Sequence, residues 1–215
     1  EDKNVVIEVE KTVADYLNRA DWRVNANSNQ GYSLGGLILN TAGSVIANYW
    51  LSHIYPKNVG EAHRNGDYHI HDLDMFSGYC AGWSLRALLE EGFNGVDNKI
   101  ESGPPKHLSS AVSQMVNFLG TLQNEWAGAQ AFSSFDTYMA PFVKKKEMEI
   151  REDIKRYGMK FASKKKETAY VDEAVYKYVF QNLQSFVFNL NIPARWGTQA
   201  PFTNITLDWD CPEDL

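Results

Sequence analysis

Residues 67 to 84 read Asp-Tyr-His-Ile-His-Asp-Leu-Asp-Met-Phe-Ser-Gly-Tyr-Cys-Ala-Gly-Trp-Ser and hold a dense group of chemically capable side chains. His69, His71, Asp72 and Asp74 are interleaved with apolar residues, and Cys80 follows beyond Gly78. Strict alternation is the signature of a strand, in which every second side chain points to one face. The pattern therefore predicts that His69 and His71 share a face. Asp72 and Asp74 then share the other face or lie in a turn. Four ionisable groups and a thiol in so short a run are costly in a plain core, so the segment reads as a site. By type alone, a thiol between Tyr79 and Ala81 is a small buried hydrophobe, a nucleophile, a redox partner or a metal ligand. The His-x-His spacing also suits zinc, but the sequence places no third ligand, and His63 and Asp67 are the nearby additions.

Two further segments are rich in binding groups. Gly103-Pro-Pro-Lys-His-Leu-Ser-Ser110 opens a long helical pattern, with Ser109 and Ser110 available as caps and Lys106 and His107 where anions bind. Arg195-Trp-Gly-Thr-Gln-Ala-Pro-Phe-Thr-Asn204 carries one cation and several neutral hydrogen-bonding groups, in a loop of the kind that binds ligands at strand ends. The lysine runs at 144–146 and 164–166 lie in Glu-rich helical contexts and read as solvated helix faces. Trp50, Trp83, Trp126 and Trp196 read as core anchors.

The elements that must position these groups follow from periodicity. Residues 5 to 20 form an amphipathic helix, and 37 to 54 a second helix, hydrophobic nearly all round and buried on most sides. A short helical turn covers 59 to 66, a helix closed by Gly92 covers 85 to 91, and a long helix covers 108 to 125. Residues 127 to 134 read as a buried strand, 135 to 182 as charged helix, 186 to 192 as an alternating strand, and 199 to 207 as loop into strand. Helices alternating with short apolar strands give an α/β fold with a parallel or mixed sheet.

Composition sets the outer bounds. With 215 residues, 44% of them hydrophobic, the chain can build a substantial core. A net charge of −6 argues against general nucleic-acid binding. Two cysteines, Cys80 and Cys211, make no disulfide framework, which suits a reducing cytoplasmic setting. No apolar run reaches the roughly 18 residues that span a bilayer. Neither end carries obvious punctuation, so a piece of a longer polypeptide is expected.

Together, four blocks resemble the anaerobic (class III) ribonucleoside-triphosphate reductases. They are residues 69 to 84, Gly103 to Ala111, Asn-Glu-Trp-Ala-Gly-Ala-Gln at 124 to 130, and Gln-Ala-Pro-Phe-Thr-Asn-Ile-Thr at 199 to 206. The resemblance implies that the whole of 1 to 215 is the first half of a ten-stranded α/β barrel of the glycyl-radical enzyme type, with surrounding helices. It implies reduction of ribonucleoside triphosphates by glycyl and thiyl radical chemistry. Cys80 takes the place of the cysteine on the first barrel strand that hands a hydrogen atom to the ribose 2′-carbon. His69, His71, Ser109, Ser110, Gln199, Thr203 and Asn204 are the implied substrate contacts. Gln114, Lys145 and Lys146 are implied near a deoxynucleotide and ATP effector site at a homodimer interface, which would replace the plain reading of one lysine run. No metal ligand is assigned here. The resemblance puts the glycyl radical, the finger-loop cysteine that becomes the thiyl radical, the rest of the barrel and a zinc site on segments beyond this sequence, with AdoMet and a 4Fe–4S cluster on a separate radical-SAM activase. Cys211 matches no motif and reads as incidental. The competing readings are a glycyl-radical enzyme of the pyruvate formate-lyase type, a non-catalytic nucleotide-binding module, and a zinc hydrolase built on His69 and His71.

Overall fold

The computed structural model describes residues 8–20, 32–93, 101–194 and 199–210. Cys211 and the Arg195 to Thr198 part of the donor-rich loop lie outside them. The chain divides into two compact units. The first gathers Glu1–Ala81, Leu122–Ala129 and Ile192–Phe202, and the second Gly82–Thr121, Gln130–Asn191 and Thr203–Leu215.

In the first unit, helix α1 (Val9–Leu17) packs on α2 (Leu34–Tyr49), which runs into a π-helical turn, Trp50–Ile54, and then α3 (Lys57–Asn65). The Ser33 hydroxyl caps α2 by accepting the Gly36 N–H at 3.0 Å. Tyr16 is buried, and its hydroxyl both donates to the Ser33 carbonyl and accepts the Ser33 N–H, which seats α1 on the start of α2. Arg64 of α3 steadies the widened π-turn. Its Nη2 donates to Asn48 Oδ1 at 3.1 Å and to Ser52 Oγ at 2.7 Å. The expectation for α2 is corrected in one respect. Leu34, Ile38 and Val45 are exposed, and the residues buried within the helix are Gly36 and Gly43.

The second unit holds the main core. Strands β1 (Ala81–Trp83), β2 (Gln130–Phe132) and β3 (Thr203–Ile205) form a sheet in that order, with β2 and β3 parallel and Gln130 opposite Thr203. Helices α4 (Leu85–Glu91), α5 (Leu108–Leu122), α6 (Phe135–Arg156) and α7 (Lys164–Leu190) accompany it. Leu85, Leu88, Leu108, Val112, Met115, Leu119, Phe132, Phe135, Met139 and Phe186 form one buried cluster. Each such side chain contributes about 1.5–3 kcal/mol on burial. Ser84 caps α4 through the Ala87 N–H, and Gly92 closes it with φ of 86°. The mixed helix and parallel-sheet architecture agrees with the α/β expectation.

Two predicted strands are not strands. Residues 186 to 190 continue α7, with Asn191 and Ile192 just beyond its end, because Val179, Leu183, Phe186 and Leu190 keep a helical apolar face on the core, while Val187 and Phe188 of the alternating set are exposed. Residues 67 to 80 form turns and irregular backbone. Asp72 adopts φ of 52°, which an extended strand does not accommodate. Ser109 and Ser110 sit inside the first turn of α5 rather than capping it, since the helix begins at Leu108.

Candidate active site

The environment of Cys80 is built within the first unit from two lengths of chain lying side by side. Ala127 N–H donates to the Gly78 carbonyl at 2.9 Å, Gly128 N–H to the Tyr79 carbonyl, and Ala81 N–H to the Ala129 carbonyl at 3.0 Å. Gly78 and Trp126 form a parallel bridge. These bonds clamp the peptide groups on both sides of Cys80 while leaving its side chain exposed. The first of the four alternatives for this thiol, a buried hydrophobe, is thereby removed.

Close approach demands glycine at two points. A Cβ on Gly78 would enter the Trp126 indole. A Cβ on Gly128 would collide with the Tyr79 carbonyl oxygen and come within 2.8 Å of the Cys80 sulfur. Carbon atoms in good contact sit about 3.5–4.0 Å apart, so the thiol is held against the bare backbone of residue 128. Gly128 lies in one of the four sequence blocks, yet composition and spacing gave it no role. The signal was the small-residue run Ala-Gly-Ala, legible only once its neighbour is known.

His69 and His71 do come together, although not on a strand. His69 Nε2 and His71 Nδ1 are 3.2 Å apart, within hydrogen-bond distance, and the tautomers decide which ring donates. The rings continue in a row: His63 to His69 at 5.6 Å, His69 to His71 at 5.4 Å, and His71 to Tyr79 at 6.1 Å between centroids. His71 Nε2 lies 3.8 Å from an Asp72 carboxylate oxygen. Among the described residues no three His, Cys, Asp or Glu side chains form a metal-holding group. His63 enters this row from α3, and its pKa is pushed below the usual 6.5 by burial first, then by His69 and Arg64.

The remaining predicted residues occupy these places. Gln199, half-buried, accepts the Ala194 N–H through its backbone carbonyl at 3.0 Å. Thr203 is half-buried and Asn204 exposed on β3, facing Gln130 and Ala131 in register. Ser109 and Ser110 are exposed on α5. Gln114 is buried, and its Nε2 donates to Ser102 Oγ at 2.7 Å and to the Gly103 carbonyl at 2.5 Å, tying the Pro-rich loop to α5. Lys145 donates to the Lys106 carbonyl at 2.7 Å. Lys146 pairs with Glu149 at 3.2 Å and lies over the Tyr178 ring, 5.1 Å from its centroid. Two of the three lysines of this run are thus anchored, while Lys144 pairs with Glu147 on the exposed face. Trp83 and Gln130, in the second unit, were a core anchor and an unassigned residue in the sequence. Gln130 is 1% exposed, accepts Trp83 Nε1–H at 2.9 Å, and donates to the Leu119 carbonyl at 3.0 Å, locking β1, β2 and α5 together.

The family profile described as anaerobic ribonucleoside-triphosphate reductase matches residues 26–214 of this chain. The chain belongs to that family. Among the curated members, the anaerobic ribonucleoside-triphosphate reductase of Escherichia coli (strain K12) is 28% identical over 167 residues, covering 75% of this chain and 22% of its own length. The enzyme of Enterobacteria phage T4 is 23% identical over 210 residues, covering 94% of this chain and 34% of its own. Solved folds agree. A structure described as anaerobic ribonucleotide reductase superposes with a TM-score of 0.65 at 24% identity, over 92% of this chain and 30% of that one. The Thermotoga maritima anaerobic ribonucleotide reductase, in complex with dATP and CTP, gives 0.61 at 21% identity, over 95% of this chain and 36% of that one. The chain thus spans between about a fifth and a third of the length of these family members. Among the described residues, no helix is long and apolar enough to cross a membrane.

Proposed function

We propose that this chain is the part of an anaerobic ribonucleoside-triphosphate reductase that carries the hydrogen-donating thiol, as the first half of the ten-stranded barrel. Family membership supports the reaction, and one observation supports the role of Cys80: its sulfur is exposed while the backbone on either side is hydrogen-bonded to residues 127–129. A reduction at a sugar carbon needs a hydrogen donor held rigidly under one face of the ring, and a side chain on a clamped backbone meets that need. Once the 3′-hydrogen has been removed by radical groups on the rest of the enzyme, the ribose 2′-hydroxyl leaves as water. The leaving 2′-hydroxyl takes up the proton that the 3′-hydroxyl gives up, so C3′ becomes a carbonyl and the odd electron moves to C2′. The Cys80 S–H bond then breaks, its hydrogen atom joins C2′ and the sulfur keeps the odd electron. Two electrons from an external reductant, formate or a thioredoxin-type protein, with two protons, restore the thiol and reduce the C3′ carbonyl before the 3′-hydrogen is returned. His69 and His71 lie within hydrogen-bond distance of each other and His71 lies beside Tyr79, which suits the pair to hold the ribose hydroxyls or the departing water. Ser109, Ser110, Gln199, Thr203 and Asn204 supply the neutral hydrogen bonds of the remaining substrate contacts.

The same reading gives the second unit a dNTP and ATP effector site near Gln114, Lys145 and Lys146 at a homodimer interface. The dATP and CTP held by the Thermotoga maritima protein favour nucleotides in both roles. The glycyl radical, the zinc site and the other barrel half belong to further segments, and AdoMet and the 4Fe–4S cluster to a separate activase. The setting is cytoplasmic.

The test is Cys80→Ala in the complete enzyme. The expected result is loss of deoxynucleotide formation with the glycyl radical still generated, seen by electron paramagnetic resonance, and with nucleotide binding retained. Turnover at the wild-type rate would overturn the reading in favour of a nucleotide-binding module.

A further inference from the structure

Resting on the reading that His69 and His71 face the ribose, we propose that His63 is the positioning residue that sets the orientation of that pair and holds it only while uncharged. Its Nδ1 accepts the backbone N–H of Ile70 at 3.0 Å. Ile70 lies between the two histidines, so fixing its peptide fixes the directions in which both side chains leave the chain. Among the described residues, 67 to 77 pair with no strand, so this bond supplies the acceptor that a strand neighbour would otherwise give the Ile70 N–H. A ring nitrogen that accepts a hydrogen bond carries no proton, so neutral His63 bears its hydrogen on Nε2. An imidazolium has no acceptor and would turn two N–H groups against each other. His63 sits on α3, whose register is fixed by Arg64 gripping Asn48 and Ser52. The charged and titratable groups around it are Arg64 on its own helix, His69 from the turn, and Asp74 on the wall of a cavity of about 530 Å³ that His63 also lines; α2 contributes Asn40 and Asn48, with no charge. Burial first, then His69 and Arg64, favour the uncharged ring, in line with the role that the hydrogen bond requires.

The experiment uses the complete enzyme and compares His63→Ala with His63→Gln, measuring kcat and KM from about pH 5.5 to 8. The glutamine carboxamide oxygen can accept the Ile70 N–H and takes no proton. It is expected to keep near-wild-type kcat at neutral pH and to lose part of the acid-side fall. His63→Ala leaves Ile70 without its partner and is expected to lower kcat about tenfold, the scale on which small misplacements act. Because the vacated ring position opens onto the cavity, added imidazole is expected to restore part of that loss, which a merely structural defect would not allow. Wild-type kcat, KM and pH profile in His63→Ala would overturn the proposal, as would His63→Gln being as impaired as alanine with no imidazole effect. Nitrogen-15 NMR of the wild-type histidines gives a readout independent of turnover: Nδ1 of His63 must be the unprotonated nitrogen. A protonated Nδ1 would overturn this proposal and leave the role of Cys80 untouched, whereas an active Cys80→Ala enzyme would overturn the latter and leave the His63–Ile70 bond in place.

Discussion

Gly128→Ala is the sharpest probe of how the thiol is held. The new methyl would stand 2.8 Å from Cys80 Sγ and closer still to the Tyr79 carbonyl oxygen. Reaching a contact of at least 3.5 Å requires the sulfur to retreat by about 0.7 Å, which rotation of the side chain can provide in part. The carbonyl has no such freedom, because it belongs to the peptide clamped by the Gly128 N–H and flanked by the bonds from Ala127 and Ala81. Separating the two backbones sacrifices the bond from Gly128, about 1 kcal/mol, and introduces overpacking strain of about 1–3 kcal/mol. A loss of about 2–4 kcal/mol is therefore expected in denaturant unfolding of the complete enzyme. Turnover should fall further than stability implies, by up to about a hundredfold at temperatures where the variant is still folded, because under the proposed function the thiol that donates hydrogen has shifted relative to its target. In a double-mutant cycle with Cys80→Ala, the thiol part of the clash disappears, so the two stability losses should combine to less than their sum by about 0.5–1 kcal/mol. Unfolding within about 0.5 kcal/mol of wild type together with unchanged turnover would refute the argument that residue 128 must be bare for Cys80 to sit where it does.

Gln130→Leu should cost about 2–3 kcal/mol in the same unfolding measurement, since it takes away the partners of Trp83 Nε1–H and the Leu119 carbonyl. Asp208 accepts the Ser134 and Thr137 hydroxyls at 3.0 and 2.6 Å at the start of α6; Asp208→Ala should cost about 1–2 kcal/mol and loosen amide protection in the first turn of that helix by hydrogen exchange. Under the proposed function, reversing the charge of Lys145 and Lys146 together should weaken dATP and dTTP binding to the complete enzyme, and unchanged affinities in a calorimetric titration would remove these lysines from the proposed effector site. For His63, the folded-state pKa lies below the ordinary 6.5, so the unfolded chain binds more protons between the two values. Its contribution to stability is complete above about pH 6.5 and is lost as pH falls through the folded value; His63→Gln should flatten that part of the stability–pH curve, and an unchanged slope would contradict it.

Much of the architecture was legible because it depends on local pattern. The helix 85 to 91 with Ser84 before it and Gly92 after it, the apolar stripe of α5, the short strand near Gln130 and the strand after Pro201 all follow from periodicity and punctuation, which act over a few residues. The misreadings came where local pattern had two readings. Phe186 to Ile192 alternates, yet its helical face was the one that met a core, and burial of Phe186 against Phe135 decided the matter. The His-rich run alternates too, yet among the described residues no strand pairs with it, and the left-handed Asp72 with the His63–Ile70 bond folds it into turns.

The site divides in the same way. The sequence by itself determined which chemistry the chain can offer: a single thiol beside two histidines, no disulfide framework, and four blocks in family order. What it could not contain was the identity of the surfaces that meet across long separations. That Gly128 lies under the Cys80 sulfur, that His63 reaches Ile70, and that Gln130 joins Trp83 to α5 are consequences of packing between segments up to 48 residues apart. Residue type and spacing are properties of a line, whereas exposure of one thiol and the orientation of two imidazoles are set by which backbones the folded core presses together.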